Sequence, residues 1–161
     1  MSLQEIDEFW MRAAMRAAET AGSLDEVPIG ACLIDKAGNL LASAGNRTRT
    51  DCDPTAHAEI LVLREAAAKI GNYRLTETTL YTTIEPCAMC AGALVQARIE
   101  RLVFAALDLR FGAVETHFRI CDSSSLNHQM EITSGVLAAE CRKLMQDFFR
   151  ARRLEKRSFA D

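Results

Sequence analysis

The chain lacks any apolar run near the roughly 20 residues that a membrane-spanning helix requires. Its N-terminus, interrupted by Glu5, Asp7 and Glu8, has neither a basic start nor an apolar export core. Both absences point to a cytoplasmic protein that makes no membrane contact. There is no internal repeat and no low-complexity tract, and with 49% hydrophobic and 25% charged residues the composition is that of a folded chain rather than a disordered one. A length of 161 residues suits one domain spanning 1–161 with a core of its own. An excess of positive charge is missing too. The formal net charge is −3, so the molecule as a whole does not advertise nucleic-acid binding. The charge is unevenly spread, however: from Arg142 to Arg157, seven basic residues face only Asp147 and Glu155.

The six cysteines would suit a disulfide scaffold in a small exported chain, but without an export signal reduced thiols are the expectation. Cys32, Cys52, Cys121 and Cys141 stand apart and read as small buried hydrophobes, whereas Cys87 and Cys90 are closely paired.

Helical spacing of Ile6, Phe9, Ala13 and Ala17, with Trp10 and Ala14 beside them, predicts a first helix. Val27 to Ile34 and Leu40 to Ala44 predict a hairpin around the Asp35–Asn39 turn. Asn46 to Asp53 is polar and irregular. Asp53-Pro54 supplies an N-cap and a proline at the first helical position, predicting a second helix that runs to Gly71. Thr78 to Ile84 reads as a strand, Pro86 as the start of a third helix, and Arg101 to Leu107 as another strand. Strands joined through helices imply parallel pairing, so the expected fold is a mixed sheet covered by helices. Asp108 to Asn127 has weak periodicity and receives no assignment; its length is one usually linked to function or mobility. Met130 to Thr133 reads as a short edge strand. Leu137, Cys141, Leu144 and Phe148 mark a last helix reaching past Arg153.

Two constellations carry chemistry, His57-Ala58-Glu59 and Pro86-Cys87-Ala88-Met89-Cys90, each expected in the first turn of a helix. Cysteines at i and i+3 share a helix face, and thiolates with an imidazole favour zinc over the oxygen-seeking magnesium and calcium. Three ligands, His57, Cys87 and Cys90, leave a position for water, as in catalytic rather than structural zinc sites. No second C-x-x-C or H-x-x-x-H closes the set, and His117 and His128 lie far along the irregular stretch. Glu59 stands beside the metal without binding it, suited to carry a proton from water to substrate. H-x-E followed by P-C-x-x-C is already known as the zinc-deaminase signature, so this is a match to an established pattern.

With these motifs, and with Glu26-Val27-Pro28-Ile29-Gly30-Ala31, Asn72-Tyr73-Arg74-Leu75, Thr79-Leu80-Tyr81 and Asp147-Phe148-Phe149-Arg150-Ala151-Arg152-Arg153, the chain closely resembles the bacterial tRNA-specific adenosine deaminases over almost its whole length. The resemblance implies a three-layer α/β/α cytidine-deaminase-like fold with a five-stranded mixed sheet, one Zn2+ per subunit and a homodimer. It also implies hydrolysis of the wobble adenosine of a tRNA anticodon stem-loop to inosine. Carried over by position, Glu59 is catalytic, Asn46 hydrogen-bonds the purine and Ile29 packs on it. The backbone N–H of Ala58 helps to fix the base, and Asp108 lies near the ribose, where a 2′-hydroxyl distinguishes RNA from DNA. Phe149 and Arg150 contact RNA.

Outside the resemblance, Asn46 reads equally as a turn residue, and the basic last helix as a solvated face. The chain departs from the family pattern after Asp108, where Arg110 replaces the usual lysine and Phe111 a smaller polar residue. Two other readings compete. A guanine or cytosine deaminase acting on the free base would share the zinc core but have no use for the aromatic and basic helix. A zinc-stabilised RNA-binding module would need a fourth ligand and no Glu59.

Overall fold

The computed structural model describes residues 1–160. Its elements follow the order α1 (Leu3–Ser23), β1 (Gly30–Asp35), β2 (Leu40–Gly45), α2 (Ala58–Ile70), β3 (Thr78–Ile84), α3 (Ala88–Ala97), β4 (Arg101–Ala106), β5 (Glu131–Ser134) and α4 (Ala138–Ser158). The strands form one sheet in the order β2-β1-β3-β4-β5. β3, β4 and β5 pair in parallel, joined through α3 and the 107–130 segment, as the crossover rule implies. Across α2, however, β1 rather than β2 is the neighbour of β3, so that pair is antiparallel.

Alternation along the central strands makes the three layers. Leu33, Leu80, Leu102 and Phe104 point into a core shared with α2 and α3, while Cys32, Ile34, Tyr81, Val103 and Ala105 point into a second core under α1 and α4. Gly30 and Gly45 let α1 lie directly on β1 and β2, since a Cβ at either would strike a carbonyl of the helix, Ala14 or Ala17 respectively.

The buried face of α1 is turned from the predicted one and shares with it only Ala14, at its margin. Met11, Ala14, Ala18 and Ala21 are buried, and Phe9 is 51% exposed, edge-on to Trp10. The reason is Asp7, which is buried, where its carboxylate receives both terminal nitrogens of Arg101 at 2.7 and 2.8 Å and the hydroxyl of Tyr81 at 2.9 Å. This network bolts α1 to β3 and β4.

Three boundaries also differ. β1 begins at Gly30 rather than Val27, because Pro28 has no N–H to give and the Ile29 N–H turns back to the Val27 carbonyl at 2.7 Å. α2 begins at Ala58 rather than Pro54, because Asp53 spends its side chain on the N–H and hydroxyl of Thr55, closing a turn instead of capping a helix. α3 begins at Ala88, with Cys87 as its N-cap. Of the four separate cysteines, Cys32, Cys121 and Cys141 are buried, but Cys52 is exposed on the 46–53 loop with φ 49°. Among the described residues, no helix is long and apolar enough to cross a membrane.

Candidate active site

α2 and α3 start side by side at the C-terminal end of β3, so the N-caps His57 and Cys87 face each other with extended backbones and no side-chain capping bond. They stand just ahead of the first helical turns, not within them as the sequence spacing predicts; Glu59 and Cys90 occupy the turns themselves. His57 Nδ1 lies 3.7 Å from Cys87 Sγ and 3.5 Å from Cys90 Sγ. One ligand atom from each of the three residues falls within 4.8 Å of the others. Zinc bonds of about 2.3 Å to sulfur and 2.0–2.1 Å to nitrogen, arranged tetrahedrally, place those atoms about 3.5 Å apart. The cluster therefore fits zinc in donor type and in spacing.

The electrostatics are those of groups competing for protons in a small space. The Cys87 thiol is pulled down to about 4 by its bond from Cys90, helped by His57. Cys90 moves the other way, pushed up by Cys87, by burial and by the charge of Glu59. The bond with Cys87 raises His57 against the opposing effect of burial. Glu59 is buried, and that burial raises its carboxyl above the usual carboxylate range. Its oxygens receive the Thr82 hydroxyl at 3.3 Å and the Cys90 thiol at 3.5 Å. The positive ends of α2 and α3 both point at this centre.

Around the centre, the structure gives Asn46 and Ala58 to each other: buried Asn46 Oδ1 accepts the Ala58 N–H at 2.9 Å. Ile29 is half-buried against the α2/α3 core. Asp108 Oδ1 accepts the N–H groups of Arg110 and Phe111, so its carboxylate shapes the loop it belongs to. Phe149 and Arg150 line a groove of about 620 Å³ between α4 and the ends of β3 and β4, together with Arg110, Arg142 and Arg153. The neighbouring Arg152 turns away to the Asp25 carbonyl at 2.7 Å. His117 and His128 are not brought to the cluster; each ring nitrogen meets a backbone carbonyl, of Leu109 and Ile99 respectively.

Two glutamates that stand in the motifs of the resemblance carry a role that the sequence does not assign. Buried Glu26 accepts the N–H groups of Arg49 and Thr50 and holds the 46–53 loop. Buried Glu85 accepts the N–H groups of Val114, Glu115 and Thr116 on one oxygen and of Asp108 on the other, and so organises the segment that periodicity left unassigned. The sequence signal is their place in those motifs: Glu85 immediately precedes Pro86-Cys87, and Glu26 immediately precedes Val27-Pro28.

Comparison with known proteins agrees with this geometry. Residues 6–153 match the MafB19-like deaminase family. Over 153 residues the chain is 49% identical to a tRNA-specific adenosine deaminase of Haemophilus influenzae, covering 95% of this chain and 88% of that protein. A Bacillus subtilis protein of the same name is 43% identical, with 94% of each chain covered. Among solved structures, one from a study of A-to-I editing by tRNA:A34 deaminases at the wobble position superposes with a TM-score of 0.81 and 43% identity, covering 84% of this chain and 98% of that one. A guanine deaminase from Nitrosomonas europaea reaches 0.76 at 25% identity, covering 88% and 83%.

Proposed function

Since the chain belongs to the MafB19-like deaminases and, among them, to the tRNA-specific adenosine deaminases, we propose that it hydrolyses the wobble adenosine of a tRNA anticodon stem-loop to inosine, using one zinc ion per subunit. The carrying observation is the meeting of His57, Cys87 and Cys90 at a zinc-like spacing beside the buried acid Glu59. Those three residues would hold the ion, which supplies Lewis acidity and favours ionisation of water near neutral pH.

The remaining chemistry belongs to the chain. Glu59, with its carboxyl raised by burial, accepts a proton from the attacking water and delivers it to purine N1. As the water oxygen bonds to C6, Glu59 takes the remaining proton of that new hydroxyl and passes it to the amine, which leaves as ammonia while the C6 carbonyl forms. Its contact with Thr82 fixes one carboxylate oxygen and leaves the other on the metal-facing side with Cys90. Asn46, anchored through Oδ1 to Ala58, keeps its amide nitrogen to donate to a purine acceptor, and half-buried Ile29 offers an apolar face to the ring. Asp108 stations the loop on the ribose side. Along α4, Phe149 and the arginines of the groove supply an aromatic and cationic surface for the loop's backbone and bases. Extruding the base costs least where it is already unpaired, and an anticodon loop meets that condition. The same reading includes a cytoplasmic homodimer.

The test offers purified protein an anticodon stem-loop bearing a wobble adenosine and, separately, free guanine, cytosine and adenosine. Inosine formed in the RNA alone is the expected result. Deamination of a free base with the RNA untouched overturns the reading in favour of a free-base deaminase.

A further inference from the structure

Beside the metal-site cluster lies a cavity of about 410 Å³, lined by Cys87, Met89, Arg110, Phe111, His117 and Phe118. Phe111 and Phe118 are 61% and 59% exposed, which is unusual for rings that a core would readily accept, and exposed apolar clusters of this kind mark interaction sites. We propose that Phe111 and Phe118 form a stacking platform for an unpaired RNA base flanking the target adenosine, a contact that sets affinity for the loop. The proposal rests on the RNA reading above and extends it to residues outside that reading.

Three observations select a nucleotide as the occupant. Arg110 lies over the Phe111 ring at 5.2 Å, and a guanidinium beside an aromatic face is a pairing suited to a base with its phosphate. Arg110 also lines the groove that holds Arg142, Arg150 and Arg153, so the platform opens onto a cationic track in a chain whose net charge is −3. A polyanion complements that track, whereas an apolar protein face does not. Cys87, a residue of the metal cluster, lines the same cavity, which puts the platform next to the reacting base.

The platform is also fixed in place. Glu85 gathers the N–H groups of Asp108, Val114, Glu115 and Thr116 beneath it. Gly112 bridges to Cys87, and the Ala113 N–H reaches the Pro86 carbonyl at 2.9 Å. A Cβ at Gly112 would strike the Glu85 carboxylate, so the loop lies as close to its anchor as a chain can. A preordered surface loses little freedom when a base docks on it.

The experiment measures kcat and KM of the metal-loaded protein and of Phe111→Ala, Phe118→Ala and Phe111→Tyr. Three substrates are compared, a wobble-adenosine stem-loop and two versions of the same RNA made abasic at the loop position immediately 5′ or immediately 3′ of the target. Each alanine variant is expected to raise KM about tenfold on the intact loop, with kcat and bound zinc unchanged and with Tyr restoring KM. On the RNA whose missing base is the stacked one, the parent's KM is expected to rise and the variants to add nothing further. Unchanged KM in both alanine variants overturns the platform. So does an equal loss on every abasic RNA, or a KM rise that tracks dissociation of a dimer in sedimentation, which would make the patch a contact between two copies. A parent that leaves all RNA untouched while deaminating guanine overturns the RNA reading itself, and the platform with it.

Discussion

Glu59 Oε2 and Cys90 Sγ lie 3.5 Å apart, the thiol donating to the carboxylate, in a pocket that leaves Glu59 only 3% exposed. The acid therefore touches the metal cluster through a ligand's sulfur while remaining outside the three-atom group. Replacing Glu59 with Gln should preserve zinc stoichiometry, measured by atomic emission, and reduce inosine formation by about 10²–10⁴-fold. Loss of metal in that variant would assign Glu59 to coordination instead.

Cys87 and Cys90 should behave oppositely to Glu59. Cys87→Ala removes the thiol that is most readily ionised, and the expected result is bound zinc falling well below one per chain together with activity. Chelation of the parent should abolish turnover, and added Zn2+ should restore it. Full activity after exhaustive metal removal would contradict the site.

The Asp7–Arg101 pair is nearly enclosed, with side chains 4% and 11% exposed. Arg101→Met should destabilise the protein by about 3–5 kcal/mol in urea unfolding, since it strands the buried Asp7 carboxylate. Asp7→Leu combined with Arg101→Met should cost less than the sum of the single changes. Additive losses would show that the two residues are not energetically coupled.

Tyr81 gives a pH signature. Burial, the bond to Asp7 and the charge of Asp7 all raise its phenol above the ordinary value, so the folded state retains that proton more tightly than the unfolded chain does. The resulting stability is fully present below about pH 10, the unfolded value, and is lost as pH rises beyond it. Urea midpoints of the parent should fall more steeply above pH 10 than those of Tyr81→Phe. Parallel alkaline slopes would exclude this origin.

Periodicity reached the elements that bury a regular face. β3 spans Thr78–Ile84 as predicted, and α2 stops at Gly71, whose φ of 75° is the left-handed cap that glycine adopts easily. The His57, Cys87 and Cys90 cluster was legible because ligand chemistry demands fixed residue types at short spacing. What escaped depends on tertiary partners. Asp7 turns α1 because Arg101, 94 residues away, waits for it. Asp53 forms a turn rather than a helix cap because Thr55 offers two donors at once. The 108–118 segment has no periodic pattern because its order comes from two carboxylates, that of distant Glu85 and its own Asp108, rather than from a buried stripe. In sequence Asn46 and Ala58 are two separate positions, and their mutual bond exists only once the loop and the helix start are brought together.

Glu85 holds the 108–116 loop by its backbone, through main-chain amides of Asp108, Val114, Glu115 and Thr116, while Leu109, Arg110 and Phe111 project outward. Anchorage and outward chemistry are thus carried by different atoms. The loop is in this respect an exchangeable tile: residues 109 to 111 are open to replacement, in a laboratory library or over evolutionary time, without disturbing the seating beside Cys87, whereas Glu85 and Gly112 are the fixed grout. New preferences for the sequence around the edited base would be sought first at those three outward positions.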